Sequence, residues 1–205
     1  MFLVCDSESS GLPKYSVAAD DPSQPRLVEI SAVLLDFDGK EIDRLHHIIK
    51  PIDWPLEDEA FVKNMQDAEA IHGISLEKMK AEGVPLMIAH DDWERLYSRC
   101  QYLVGYNIWH DWKVIRGEWR RIGQTVPFRD RQGICMMKAA RKVLGGRNPK
   151  LSVAVEKILG REHNFAHRSD ADLAATIDLF HALGQRGQVE IDDQPESKQP
   201  KELAA

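Results

Sequence analysis

The stretch Leu27–Phe37 (LVEISAVLLDF), closed by Asp38-Gly39, constrains the fold more than any other part of the chain. Its β-branched and aliphatic side chains favour a strand, and Asp-Gly supplies the left-handed conformations that a tight hairpin turn needs. The chain must therefore double back, and Ile42–Ile49 is the predicted return strand. Phe2–Asp6 is a further short apolar run that ends in a carboxylate, and Asp20–Pro25, which holds Pro22 and Pro25, is a loop.

Beyond Pro51 the signals turn helical. A short helix is predicted near Asp67–Ile71, ending at His72-Gly73, with another after Ser75 and a longer amphipathic one over about Pro85–Arg99. A strand at Tyr102–Tyr106 precedes a helix from Trp109 to Ile122, and Val126–Arg129 reads as a last short strand. Helices are predicted over Gly133–Leu144, Leu151–Leu159 and Asp170–Leu183. This βββαβα order implies an α/β protein with a central mixed sheet of about five strands flanked by helices. Residues 1–183 are expected to form one domain. The polar stretch 184–205, rich in Gln and acids, is expected to be a disordered tail.

A chain of 205 residues suits one substantial domain. No apolar run approaches the roughly 18 residues that span a bilayer, so no membrane role is expected. The opening MFLVCDSE lacks a basic signal region, and a cytoplasmic location is expected. Cys5, Cys100 and Cys135 are isolated, which reads as reduced thiols rather than a disulfide framework or a zinc site. The net charge is −6, yet the segment from Lys113 to Arg168 holds 14 basic and four acidic residues. Such a segment fits a phosphate-backbone footprint or a set of solvated helix faces equally well. Charge alone decides nothing here.

The informative residues are four acids that sit on apolar faces. Asp6 and Glu8, two apart at the end of an apolar strand, project from the face that carries Phe2 and Val4. Two such charges repel unless a cation lies between them, and carboxylate oxygens suit Mg²⁺ or Mn²⁺. Asp111, in the first turn of its helix, heads a stripe with Ile115 and Trp119. Asp172 heads a second stripe with Ala175, Thr176, Leu179 and Leu183, whereas Asp170 is placed to be a plain N-cap. Burying a lone carboxylate is costly, so four of them on three elements point to convergence on one site.

These residues resemble the three motifs of the DEDDh (DnaQ-like) 3′→5′ exonuclease family. Cys5-Asp6-Ser7-Glu8-Ser9-Ser10-Gly11-Leu12-Pro13 is similar to the first motif, Gly105-Tyr106-Asn107-Ile108-Trp109-His110-Asp111 to the second, and His167-Arg168-Ser169-Asp170-Ala171-Asp172 to the third. Leu27-Val28-Glu29-Ile30, Ile71-His72-Gly73-Ile74 and Pro149-Lys150-Leu151-Ser152 follow the family order more loosely. The resemblance implies a ribonuclease H-like fold in which Asp6, Glu8, Asp111 and Asp172 hold two divalent ions. It implies that His167 accepts the proton of an attacking water, and that Ser9, Gly11 and Leu12 hold the terminal nucleotide while Asn107 supports the site. The partners it implies are single-stranded 3′ ends, with room for a polymerase or repair partner.

This chain departs from the family where Ser9 and Ser10 replace threonines, Tyr106 replaces His, and His110 replaces Phe. His163 lies four residues before His167, but only His167 has the family's spacing to Asp172. His46, His47, His72, His90 and His181 are read as structural, and His110 as a packing residue that could compete as a metal or proton group. DNA is favoured as substrate because the insertion Ser16–Pro25 resembles that of stand-alone bacterial and phage relatives. The alternatives are an exoribonuclease, a catalytically silent binding subunit, and a metal phosphoesterase acting on small nucleotides.

Overall fold

The computed structural model describes residues 1–124, 132–163 and 167–191. Strands β1 (Phe2–Ser9), β2 (Leu27–Leu35) and β3 (Glu41–Ile48) come first, followed by helices α1 (Glu59–His72), α2 (Leu76–Glu82) and α3 (Leu86–Tyr97). Then come β4 (Tyr102–Gly105), α4 (Ile108–Arg121), β5 (Gln132–Cys135), α5 (Met136–Leu144), α6 (Leu151–Ala154) and α7 (Ser169–Gly184). One five-stranded sheet runs in the order β3-β2-β1-β4-β5. β1, β2 and β3 pair antiparallel, while β1, β4 and β5 are parallel. This is the expected mixed α/β sheet with helices on both faces.

The long apolar run becomes β2, and every one of its residues is buried because strands flank it and helices cover both its faces. The return strand β3 lies at the sheet edge, where its charged residues face water and discourage further pairing. The period of two sorts the side chains. Leu3, Cys5, Ala32, Leu34 and Leu103 face α3 and α4, where Trp93, Trp112 and Trp119 complete a buried cluster. Val4, Val33 and Val104 face α5, α6 and α7. Truncating a fully buried tryptophan such as Trp93 would cost about 3–5 kcal/mol.

Several elements differ from the sequence expectations. The first helix is not confined to Asp67–Ile71: α1 begins at Glu59, with the Asp58 carboxylate accepting hydrogen bonds from the Ala60 and Phe61 backbone. Its early turns carry a short apolar stripe, Phe61, Met65 and Ala68, of which Phe61 and Met65 pack with Trp54 and Ile74. Gly133–Cys135, expected to open a helix, instead belongs to β5, because pairing with Leu103, Val104 and Gly105 of β4 overrides local preference. The strand expected at Val126–Arg129 lies outside the described residues. Past α6 the chain widens into a π-helical turn, Val155–Leu159, which ends at left-handed Gly160. The tail reading concerns mainly residues 192–205, which are also outside the described set. Cys5, Cys100 and Cys135 are buried free thiols, as expected. Among the described residues, no helix is long and apolar enough to cross a membrane.

Candidate active site

β1 outruns its neighbour. Its last pairing with β4 joins Val4 to Val104, and from Cys5 onward it pairs with β2 alone. The strand order also turns at this point, with β2 and β3 on one side of β1 and β4 and β5 on the other. Open α/β sheets characteristically bind ligands in the crevice outside such a switch point. Asp6 and Glu8 stand there, both half-buried.

The other acids come from opposite faces of the sheet. Asp111, in the first turn of α4, is buried and accepts hydrogen bonds from Ser7 N (3.1 Å) and Ser7 Oγ (2.8 Å). The residue between Asp6 and Glu8 thus anchors Asp111 from the other side of the strand. Asp172 enters on the first turn of α7, whose stripe of Ala175, Thr176, Leu179 and Leu183 is buried as expected. A carboxylate oxygen of Glu8, one of Asp172 and a ring nitrogen of His167 lie within 4.8 Å of one another. His167 has a φ of 66°, a left-handed conformation that costs an L residue roughly 1–2 kcal/mol. Its backbone N–H donates to Asp172 Oδ2 at 3.1 Å, which holds the bend.

Electrostatics confirm that the acids share one space. Burial pushes the Asp6 carboxyl well up, and the charges of Asp111, Asp172, Glu8 and Glu29 push it further. Burial, then Asp172, Glu29 and Asp111, raise Glu8 to about 8, with Arg168 opposing them. Burial likewise raises Asp111, with His110 and the Ser7 hydrogen bonds pulling it back. Carboxyls such as Asp6 and Glu8, hindered in ionising by their neighbours' charges, are what a divalent cation relieves, and a set of carboxylate oxygens is the donor set that Mg²⁺ or Mn²⁺ prefers. These residues fit a metal.

The loop after β1 is held from within. Ser9 Oγ donates to Gly11 O at 2.7 Å, and buried Ser10 exchanges hydrogen bonds with Arg26, Ser10 N to Arg26 O and Arg26 N to Ser10 Oγ, both at 2.9 Å. Gly11 takes φ 155°, which side-chain-bearing residues rarely adopt. Leu12 is 83% exposed, an apolar side chain turned largely to solvent. Asn107, at the head of α4, is half-buried and makes no capping bond with its side chain. Tyr106 donates from its hydroxyl to Pro149 O at 2.7 Å and so ties the end of β4 to the segment before α6.

Sequence reasoning missed or misplaced three groups. Asp170 is not the cap of α7: the helix starts at Ser169, and Asp170 accepts from Ala171 N in the first turn. His163 is not remote from the site, since its side chain is 3% exposed and its Nε2 lies 2.5 Å from Asp172 Oδ1. Glu29, paired across from Glu8, is fully buried and bonds to the start of α7 through Ser169 N at 3.0 Å. Its signal was available, as the one charged residue inside an otherwise apolar and small-residue strand.

A crevice at a sheet switch point, ringed by Asp6, Glu8, Asp111 and Asp172, is the arrangement of a DEDDh-type exonuclease, a phosphodiester hydrolase on a ribonuclease H-like fold. The chain belongs to the RNase_T exonuclease family, whose model matches residues 3–180. In structure it is similar to E. coli exonuclease I in complex with single-stranded DNA, with a TM-score of 0.70 at 22% identity over 90% of this chain and 40% of that one. The same enzyme with a dA16 oligonucleotide gives 0.71 at 21% identity, over 90% and 41%. Exonuclease X in complex with 5′ overhanging duplex DNA gives 0.55 at 24% identity, over 90% and 93%. The chain therefore spans about two fifths of the exonuclease I structures it resembles. None of the curated proteins matches it by sequence.

Proposed function

We propose that residues 1–183 form a metal-dependent 3′→5′ exonuclease domain that releases nucleoside 5′-monophosphates from single-stranded DNA ends. The observation that carries this reading is the convergence of Asp6, Glu8, Asp111 and Asp172 with His167 in one crevice, where burial and the charges of the neighbouring acids raise the Asp6 and Glu8 carboxyls. Asp6, Glu8, Asp111 and Asp172 are the ligands for two Mg²⁺ or Mn²⁺ ions. When bound, such ions make water nucleophilic at neutral pH and offset the charge that develops on the phosphate.

The protein's own groups do the rest. His167, exposed at the mouth of the crevice and beside Glu8 and Asp172, accepts the proton of the attacking water. Exposed Leu12 packs against the terminal base, on a loop that Gly11 and the Ser9 and Ser10 hydrogen bonds keep in shape. Asn107 steadies the turn that leads to Asp111, where His110 N bonds Asn107 O at 2.8 Å. Support for DNA comes from the fold's likeness to exonucleases I and X, whose structures hold DNA. Three buried free thiols suit the reducing cytoplasm.

Matched DNA and RNA oligonucleotides, labelled at either the 3′ or the 5′ end, test this reading with and without Mg²⁺ or Mn²⁺. The expected result is metal-dependent release of labelled mononucleotide from 3′-labelled DNA and a shrinking ladder from 5′-labelled DNA, with RNA cut more slowly. Mononucleotide released first from the 5′ label would reverse the polarity, and equal cutting in chelator would remove the metal.

A further inference from the structure

Glu29 lies on the same sheet face as Glu8, directly across the β1–β2 pairing. Side chains at such opposed positions stand about 5 Å apart, close enough for two acids to compete for one cation. Yet Glu29 is already spoken for. Its Oε1 accepts from His46 Nε2 of β3 at 2.9 Å and from Arg168 at 3.4 Å, and its Oε2 accepts from Ser169 N at 3.0 Å. Burial alone would raise its pKa, but the His46 and Ser169 hydrogen bonds and the Arg168 charge bring it down to about 2. Both Glu29 oxygens are therefore occupied by donors from β3 and from the start of α7.

Those partners are the start of the arm that carries His167 and Asp172. The helix α7 has no capping side chain of its own, and the first backbone N–H of the helix is satisfied by Glu29 from another strand. One register step along the same face, Ser31 Oγ meets Ser169 Oγ at 2.6 Å, and both are buried. A negative charge at a helix N-terminus is also favoured by the dipole. We propose that Glu29 is a positioning residue that sets the His167–Asp172 arm against Glu8, and that it does so without being a metal ligand itself. The inference rests on the functional reading above.

Three full-length proteins test it: the wild type, Glu29→Gln and Arg168→Gln, each assayed by calorimetric Mn²⁺ titration without substrate and by oligonucleotide turnover. Glu29→Gln keeps the shape but turns an amide toward His46 and Arg168. We expect Mn²⁺ affinity and kcat to fall by roughly 10–100-fold, with KM nearly unchanged and kcat partly restored by excess Mn²⁺. The thermal midpoint monitors folding. Arg168, partly exposed, can be changed without threatening the core, and Arg168→Gln should shift Mn²⁺ affinity and kcat in the same direction by less. If Glu29→Gln fails to fold, Arg168→Gln decides alone. Wild-type Mn²⁺ affinity and kcat in the folded variants would overturn the inference, as would a rise in KM alone. A wild type that neither binds Mn²⁺ nor digests DNA would instead bring down the functional reading on which it stands.

Discussion

Glu8 shows at the scale of one residue how the site is built to want a cation. Its pKa of about 8 in the metal-free protein stands above the ordinary carboxyl value of an unfolded chain. The folded state therefore holds a proton that the unfolded state has lost, so Glu8 lowers stability as pH rises through that window. The metal-free protein should melt progressively lower from about pH 5 to about pH 8, and Glu8→Gln should flatten that slope. Saturating Mg²⁺ or Mn²⁺ should cancel it, because the ion takes the place of the proton. Melting curves across this range, with and without metal, check the sign; a midpoint that climbs with pH in the metal-free protein would refute it. Asp6, Glu8, Asp111 and Asp172 were legible in the sequence because each stood on an apolar face where a charge needs a reason. His163 was not, since a histidine four residues from the expected one gives no sign of which of them the loop will fold inward.

At the scale of elements, alternation and turn chemistry carried the strands, and packing decided the rest. The pairing of β2 and β3 around Asp38-Gly39 follows from the sequence, whereas the strand at Gln132–Cys135 exists only because β4 offers it a partner. The insertion after β1 shows the same dependence. It lies along α4, with Lys113 donating to Val17 O and Arg121 to Asp21 O. Gly117, mid-helix on α4, is where the loop comes closest: a Cβ there would strike the Ala19 carbonyl oxygen. Helix propensity alone would make Gly117→Ala stabilising by about 1 kcal/mol. The clash should reverse the sign and destabilise by about 1–3 kcal/mol, read from denaturant unfolding. A stabilised variant would mean the loop does not rest on the helix.

At the scale of the whole molecule, ion pairs account for part of the charge asymmetry in the sequence. Four of the 14 basic residues in the segment are matched by acids from elsewhere in the chain, Arg120 near Asp20, Arg161 near Asp178, Lys142 near Glu190 and Arg168 near Glu29. The asymmetry is thus partly one of sequence order rather than of surface. The βββαβα order, by contrast, survives intact, and it places the ends of β1, α4 and α7 around one crevice. The central claim is that this crevice hydrolyses nucleic acid from the 3′ end through metals held by its acids. The most direct test compares wild type and Asp6→Ala on a 5′-labelled single-stranded DNA with Mg²⁺ or Mn²⁺. The account predicts a shortening ladder for the wild type and uncut substrate for a folded Asp6→Ala, with turnover lower by at least about a thousandfold, as befits loss of metal-assisted catalysis. Digestion by Asp6→Ala at the wild-type rate would contradict it.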